Sequence, residues 1–422
     1  MLGLLRTIKN KLFEERPETT SPFLERKKAK YMGEISVEKL WNKHYILVLV
    51  VNTLNAFSFY MVATILSKYL VEIGTTLTLA GFIVGLFSLT SLVCRPFSGI
   101  MADRLNNVTL LKWSNVLMCI GLLGFTLTTN IPLLILFRII NGIGFALSGT
   151  CQMALGAKYI PKNRMGEGVG YLGLGMVVGS AVAPGIGIAI AEHVGMKITF
   201  VGAAALTVVA FAILFIFHEE KHTSTGKRIV LNDIFAVDAL PYTYVAGMFS
   251  FTNGIIASYL LLYADELGVK GISIYYTVYA VVLFIIRPLS GKLMDQMGIR
   301  VTVIPGILIT AVSMVSLGFV KTLPLILVTA VFRALGQGSA QPSLQAGCIR
   351  RVGRERSGVA TSTYYLGGDI CQGFGPMIGG AIVGLFTGIE GYQAIFTLCA
   401  ALLVIACVYF YFYTGVKHEN KN

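Results

Sequence analysis

A single carboxylate lies deep inside an apolar stretch of this 422-residue chain: Asp369, eleven residues into the segment 358–385. Every other Asp or Glu falls in a polar segment or at the end of an apolar one, and none of the five His lies within one. An ionisable group in such a stretch costs about 2.5–3.5 kcal/mol on insertion scales, so it needs a reason. A carboxylate in a low-dielectric cavity can alternate between charged and neutral forms near neutral pH, as a proton carrier must. The competing reading is a structural acid, paired with Arg333 or hydrogen-bonded to Gln372. Arg138 and Arg333 are placed as deeply, and a buried Arg stays charged only when hydrogen-bonded or paired. Eight amides share these stretches: Asn52, Asn55, Asn141, Gln152, Asn253, Gln337, Gln341 and Gln345. The last three are four apart and share one helix face. No catalytic cluster of carboxylates and His is present, so an enzyme is not expected. The seven Cys are scattered without ligand spacing and read as reduced thiols, so neither a metal nor another cofactor is implied. No P-loop is present, which excludes an ATP-driven pump.

The elements that must position these groups are membrane-spanning helices. Hydrophobic residues make up 55% of the chain and charged ones 13%, about half the share of an average soluble domain; mean hydropathy is +0.73. Twelve apolar stretches are long enough to cross roughly 30 Å of hydrocarbon. They are 45–66, 79–101, 110–129, 132–156, 168–191 and 198–217, then 240–264, 273–293, 301–320, 323–347, 358–385 and 392–414. Of the 34 Lys and Arg, 26 fall in the leader, in the loops after even-numbered stretches and in the tail, against four on the opposite side. Both termini are therefore expected in the cytoplasm. The net charge of +13 is an orientation signal with no nucleic-acid meaning. Residues 1–44 form a basic leader without a cleavable signal; Leu5, Ile8 and Leu12 share a helical face, so it either lies on the inner leaflet or is a disordered tail. The expected organisation is this leader, a first half 45–217, a polar linker 218–239, a second half 240–414 and a tail 415–422.

The two halves repeat each other. Arg95-Pro96-Phe97-Ser98-Gly99-Ile100-Met101-Ala102-Asp103 returns 192 residues later as Arg287-Pro288-Leu289-Ser290-Gly291-Lys292-Leu293-Met294-Asp295. Glu72-Ile73-Gly74 returns as Glu266-Leu267-Gly268, Phe137-Arg138 as Phe332-Arg333, and Arg164 with Pro184 as Arg356 with Pro376. A near-constant offset means that one half was duplicated with its order and sense kept. Parallel halves of this kind place a substrate site at their interface, near the bilayer midplane.

Twelve spans in two parallel halves, with R-P-x-x-G-x-x-x-D after spans 2 and 8, resemble the major facilitator superfamily, and its twelve-span drug–proton antiporter group best. Span 5 carries Gly170, Gly179, Ala183-Pro184 and Gly187 at the spacing of that group's glycine-rich signature; span 11 ends in Gly375-Pro376-Met377-Ile378-Gly379-Gly380. Glycines let helices approach closely and Pro bends them. Gly179, Pro184, Gly187, Gly375, Pro376 and Gly379 are therefore read as a hinge at the interface of the halves, with ordinary tight packing as the alternative. The resemblance implies gating by Gly99, Asp103, Arg104, Gly291 and Asp295, with Asp103 near the start of span 11, where the helix dipole favours an anion. After Asp103-Arg104 the family has Gly, and this chain has Leu105. The resemblance also implies that Arg138, and Arg333 at the matching place, assist proton movement; a structural Arg bonded to backbone is the alternative. In this fold spans 1, 4, 7 and 10 line the cavity, which makes the eight amides its candidates, with Tyr275, Tyr276 and Tyr279 near the outer end of span 8. Amides and aromatics without fixed charges suit a neutral or modestly polar molecule.

The fold expected is an all-α membrane protein of twelve transmembrane helices, at the cell membrane. The function expected is export of a small organic molecule by alternating access with proton antiport. Its partners are then a small-molecule substrate, protons and the lipid bilayer, and the chain is expected to act as a monomer. A proton symporter or uniporter for uptake is the alternative, and a non-transporting sensor a remote one.

Overall fold

A computed structural model describes residues 39–217 and 235–419. The face read in the leader lies outside the described residues, as does most of the linker. The twelve stretches form twelve helices: α1 (Lys43–Glu72), α2 (Leu77–Arg104), α3 (Asn107–Leu127), α4 (Ile131–Tyr159), α5 (Met165–His193), α6 (Met196–Ile213), α7 (Leu240–Glu266), α8 (Ile274–Met297), α9 (Ile299–Phe319), α10 (Leu323–Val352), α11 (Ser357–Val383) and α12 (Ile389–Glu419). No strand occurs among the described residues. Several helices outrun their apolar stretches, α1 to Glu72 and α10 to Val352, because polar residues can extend a helix beyond the hydrocarbon.

Local chemistry sets the helix ends. Asn42, Thr76, Asn106 and Asn130 each accept a backbone N–H of the first turn of α1, α2, α3 and α4, satisfying donors that a helix start leaves free. Gly74 and Gly268 end α1 and α7 at φ +96° and +68°, a backbone that a Cβ disfavours; this is why both copies keep Glu-x-Gly. Gly298 turns α8 into α9 at φ +89°. The first copy turns without a glycine, because Leu105 is extended at φ −117° and the Asn106 side chain caps α3.

Among the described residues, eleven helices are long and apolar enough to cross a membrane by length and composition. The exception is α11, diluted by Tyr364, Tyr365, Gly367, Gly368, Asp369 and Gln372. The duplication is visible in the packing. In the first half α1 packs on α5 and α6, α3 on α4 and α6, and α2 on α4. In the second half α7 packs on α11 and α12, α9 on α10 and α12, and α8 on α10. The halves meet where α2 crosses α11 and α5 crosses α8. The α2–α3, α4–α5, α8–α9 and α10–α11 turns gather at one end of the bundle, with Arg104, Lys158, Arg164, Arg300, Arg350 and Arg354; this is called the basic end below.

Candidate functional site

Two equivalent crossings close the basic end. At the first, the Asp103 carboxylate accepts the backbone N–H groups of Gly358 (2.6 Å) and Val359 (2.9 Å), in the first turn of α11. At the second, Asp295 accepts Gly166 N–H (2.9 Å) and Glu167 N–H (3.0 Å), in the first turn of α5. Each carboxylate satisfies orphan donors and meets the positive end of a helix dipole. Asp295 is also paired with Arg350, and the buried Glu167 carboxylate takes Arg164 at 2.7 Å and, from the other half, Lys292 at 3.4 Å. Arg354 adds a 2.6 Å bond to the Ile160 carbonyl. Arg104 ends α2 beside Asp103.

The repeated glycines permit these crossings. A Cβ on Gly99 would run into the Ser362 side chain, and one on Gly291 into the Gly166 backbone. Backbone cannot give way as a flexible side chain can. Gly291→Val should therefore push α8 off α5, break the two bonds to Asp295 and destabilise the protein by about 1–3 kcal/mol, the usual cost of overpacking. A melting curve in detergent checks this; an unchanged midpoint would mean that the crossing has slack.

Above the crossings, the halves enclose a cavity of about 240 Å³. Of the eight amides, five line it: Asn52, Asn55, Gln152, Gln341 and Gln345. Asn55 and Gln152 both donate to Ser148 Oγ, at 3.0 and 2.9 Å, and Gln345 donates to Tyr365 Oη at 3.0 Å. The other three are spent within their own halves. Asn141 donates to the Met118 carbonyl, Asn253 accepts from Arg333, and Gln337 accepts from Tyr279 Oη at 2.6 Å. Gln337, Gln341 and Gln345 do share a face of α10, but at the level of Gln337 that face meets α8.

The deep charges are arranged otherwise than expected. Asp369 is bonded to Arg95 Nε at 2.8 Å, and to neither Arg333 nor Gln372. Arg95 stands on α2 and Asp369 on α11, so the pair links the two halves. It lies eight residues from Asp103 on α2, about 12 Å along the helix. Arg95 also covers the Tyr365 ring at 4.5 Å and lines the cavity. Its pseudo-equivalent Arg287 lines the cavity too, donating to the Gly173 carbonyl (2.7 Å) and more weakly to Gln341 Oε1 (3.4 Å). The cavity therefore holds fixed charge, against the expectation of a wall of amides and aromatics alone.

Arg138 and Arg333 are buried away from this cavity. Arg138 donates to the Val84 carbonyl at 3.2 Å, covers Phe87 at 4.6 Å and, with Asn141, lines a hollow of about 10 Å³. Arg333 bonds Asn253 and covers Tyr279 at 4.5 Å. Tyr279 therefore serves Arg333, while the cavity's own aromatics are Phe145, Tyr364 and Tyr365.

The hinge glycines need a correction of place. Gly179 and Gly187 pack against Ala56 and Met61 of α1, and Gly375 and Gly379 against Phe251 and Ile255 of α7. These are approaches within one half. Pro184 and Pro376 lie inside α5 and α11, and the Pro376 carbonyl accepts Tyr259 Oη at 2.5 Å. The glycines that face the other half come earlier on α5: Gly166, Gly170 and Gly173, against Gly291 and Arg287 of α8. Small-residue spacing reports close packing without naming the partner helix.

Comparison with known proteins agrees with this architecture. The family model described as Major Facilitator Superfamily matches residues 48–371 and again 242–422. The chain belongs to the major facilitator superfamily. Among curated superfamily members, the Multidrug resistance protein MdtG of Citrobacter koseri is 26% identical over 372 residues, covering 83% of this chain and 90% of the relative. The protein of the same name from Salmonella typhi is 25% identical over the same shares. Among solved superfamily structures, the human organic anion transporter TETRAN aligns with a TM-score of 0.75 at 14% identity, covering 87% of this chain and 98% of its own. The transporter FucP in the outward conformation aligns with a TM-score of 0.72 at 15% identity, covering 88% and 99%. At these identities the structures establish the fold alone; membership of the superfamily, and with it a multi-pass membrane transporter, rests on the family model.

Proposed function

We propose that this protein exports a small organic molecule across the cell membrane in exchange for protons, with both termini and the basic end on the cytoplasmic side. The observation that carries the reading is the Arg95–Asp369 pair, which ties α2 to α11 at the cavity. While Asp369 is ionised, the pair holds the halves together at that depth. A proton on Asp369 removes the attraction and leaves a guanidinium only 7% exposed without its counter-ion, a change that is costly in a buried pair. Proton binding then biases the balance between two arrangements of the halves, which is what coupling requires.

The excess of Lys and Arg at the basic end supports a cytoplasmic location for it. The latches at Asp103 and Asp295 then close the cytoplasmic side, with the cavity reached from outside. Export is supported by relatives named as multidrug resistance proteins. Gly179, Pro184, Gly187, Gly375, Pro376 and Gly379 fit rigid α1–α5 and α7–α11 pairs that move as units. The arrangement supports a structural part for Arg138 and Arg333.

A growth panel with and without the gene finds a transported compound. In ATP-replete cells its export should collapse when an uncoupler dissipates the proton gradient. Export that continues at the same rate would overturn proton coupling.

A further inference from the structure

The duplication places Arg95 and Arg287 at equivalent positions, 192 residues apart. Each reaches from α2 or α8 toward the helix it crosses in the other half, α11 or α5. On α11 the acid that meets Arg95 is Asp369. The residue at the same place in the first half, 192 positions earlier on α5, is Val177, buried against Leu283 and Ala334. The symmetry of the fold is therefore broken at one charge. Arg95 has a counter-ion; among the described residues no carboxylate is paired with Arg287.

What Arg287 does have is a carbonyl at 2.7 Å, a long contact to Gln341 and a buried Nε–H with no partner. Arg287 is half-buried in the cavity wall, and a guanidinium there without an anion leaves its charge uncompensated at some cost. Because Arg287 stands in the cavity wall, whatever enters can supply that anion. Arg95 Nη1–H, in the same wall, is likewise unbonded. Two guanidiniums against one carboxylate leave an excess of one positive charge. Around it, Phe145, Met176, Tyr364 and Tyr365 offer apolar and aromatic surface.

We propose that the cavity recognises an amphiphilic organic anion, whose charged group sits at Arg287 as the counter-ion that Val177 does not provide. The inference rests on the transport reading and names its substrate class. A planar carboxylate matches the guanidinium fork, and its aromatic body matches the tyrosine side of the wall.

The test is calorimetric titration of the full-length protein in detergent with three ligands of one shape: 2-naphthoate, neutral 2-naphthamide and cationic 2-naphthylmethylammonium. The carboxylate should bind at least about tenfold more tightly than the amide, in line with the greater strength of charge-assisted hydrogen bonds, and the cation most weakly. Arg287→Gln should erase the preference for the carboxylate, and Arg287→Lys should retain part of it. Val177→Asp, which gives Arg287 the acid that Arg95 already has, should abolish naphthoate binding and leave naphthamide binding in place. If the Gln variant does not fold, the Lys and Val177 variants decide. Equal affinity for the three ligands, tighter binding of the cation, no naphthoate binding up to its solubility, or an unchanged preference in Arg287→Gln would overturn the proposal. Export insensitive to an uncoupler would sink the coupling reading alone, and charge-blind binding beside gradient-driven export would sink this inference alone.

Discussion

Replacing Asp369 by Asn should abolish gradient-driven transport while leaving substrate binding and substrate exchange. The amide keeps the shape of the carboxylate and can still accept the Arg95 Nε–H, seen here at 2.8 Å. It cannot take up and release a proton. A membrane potential of 100 mV contributes about 2.3 kcal/mol per charge moved, or about 50-fold in concentration ratio. The part of that ratio that proton movement supplies should be lost in the Asn variant, leaving only what the potential exerts on the substrate's own charge. Asp369→Glu should keep some coupling with a displaced pH optimum, because the carboxylate remains but its reach to Arg95 changes. Counterflow in proteoliposomes separates the two capacities: exchange of labelled for unlabelled substrate should persist, and uphill accumulation should not. An Asn variant that still concentrates substrate at the wild-type rate would end the assignment. The titrating group would then be sought at Asp103, Asp295 or Glu72.

Part of this site was legible in the chain and part was not, for physical reasons. Asp369 announced itself because a lone carboxylate in an apolar stretch has few innocent explanations. Its partner did not. Arg95 stands near the end of its stretch in linear order and served only as a marker of the repeat. Eight residues before Asp103 is about two helical turns into the bundle, and the α2–α11 crossing then brings it to Asp369. Arg333, a deep Arg by any linear measure, is instead taken by Asn253 and Tyr279 within its own half. The amides divide in the same way. Periodicity gave Gln337, Gln341 and Gln345 one face, but which part of that face meets a cavity and which meets α8 depends on helix tilt. The twelve helices themselves were readable because apolar length is a local property. The segment 358–385 is legible from its apolar length as well, although α11 is the one of the twelve helices that its polar residues keep from qualifying by composition.

The largest conformational effect is expected from opening both latches together. Asp103→Asn and Asp295→Asn each keep one acceptor oxygen and the size of the side chain, but remove the charge facing the starts of α11 and α5. A hydrogen bond to a charged group contributes about 1.5–3 kcal/mol, and an anion at a partly buried helix start up to about 2 kcal/mol. A loss of about 1–2 kcal/mol per latch shifts the ratio of closed to open by about 5- to 30-fold. The latches stand on different helix pairs and share no bonded partner, so their effects should add. The pairing of Asp295 with Arg350 of α10 lies within the second half and does not itself join the halves, so the two single substitutions should have effects of similar size. The readout is a cysteine at Ser148, in the cavity wall, labelled by a membrane-impermeant maleimide applied from the cytoplasmic side. Labelling should rise modestly in each single variant and steeply in the double. A double variant that labels no faster than its parent would mean that these four backbone bonds do not hold the cytoplasmic side shut, and that the other bonds between the halves, Lys292–Glu167, Arg354–Ile160 and Arg95–Asp369 among them, do so.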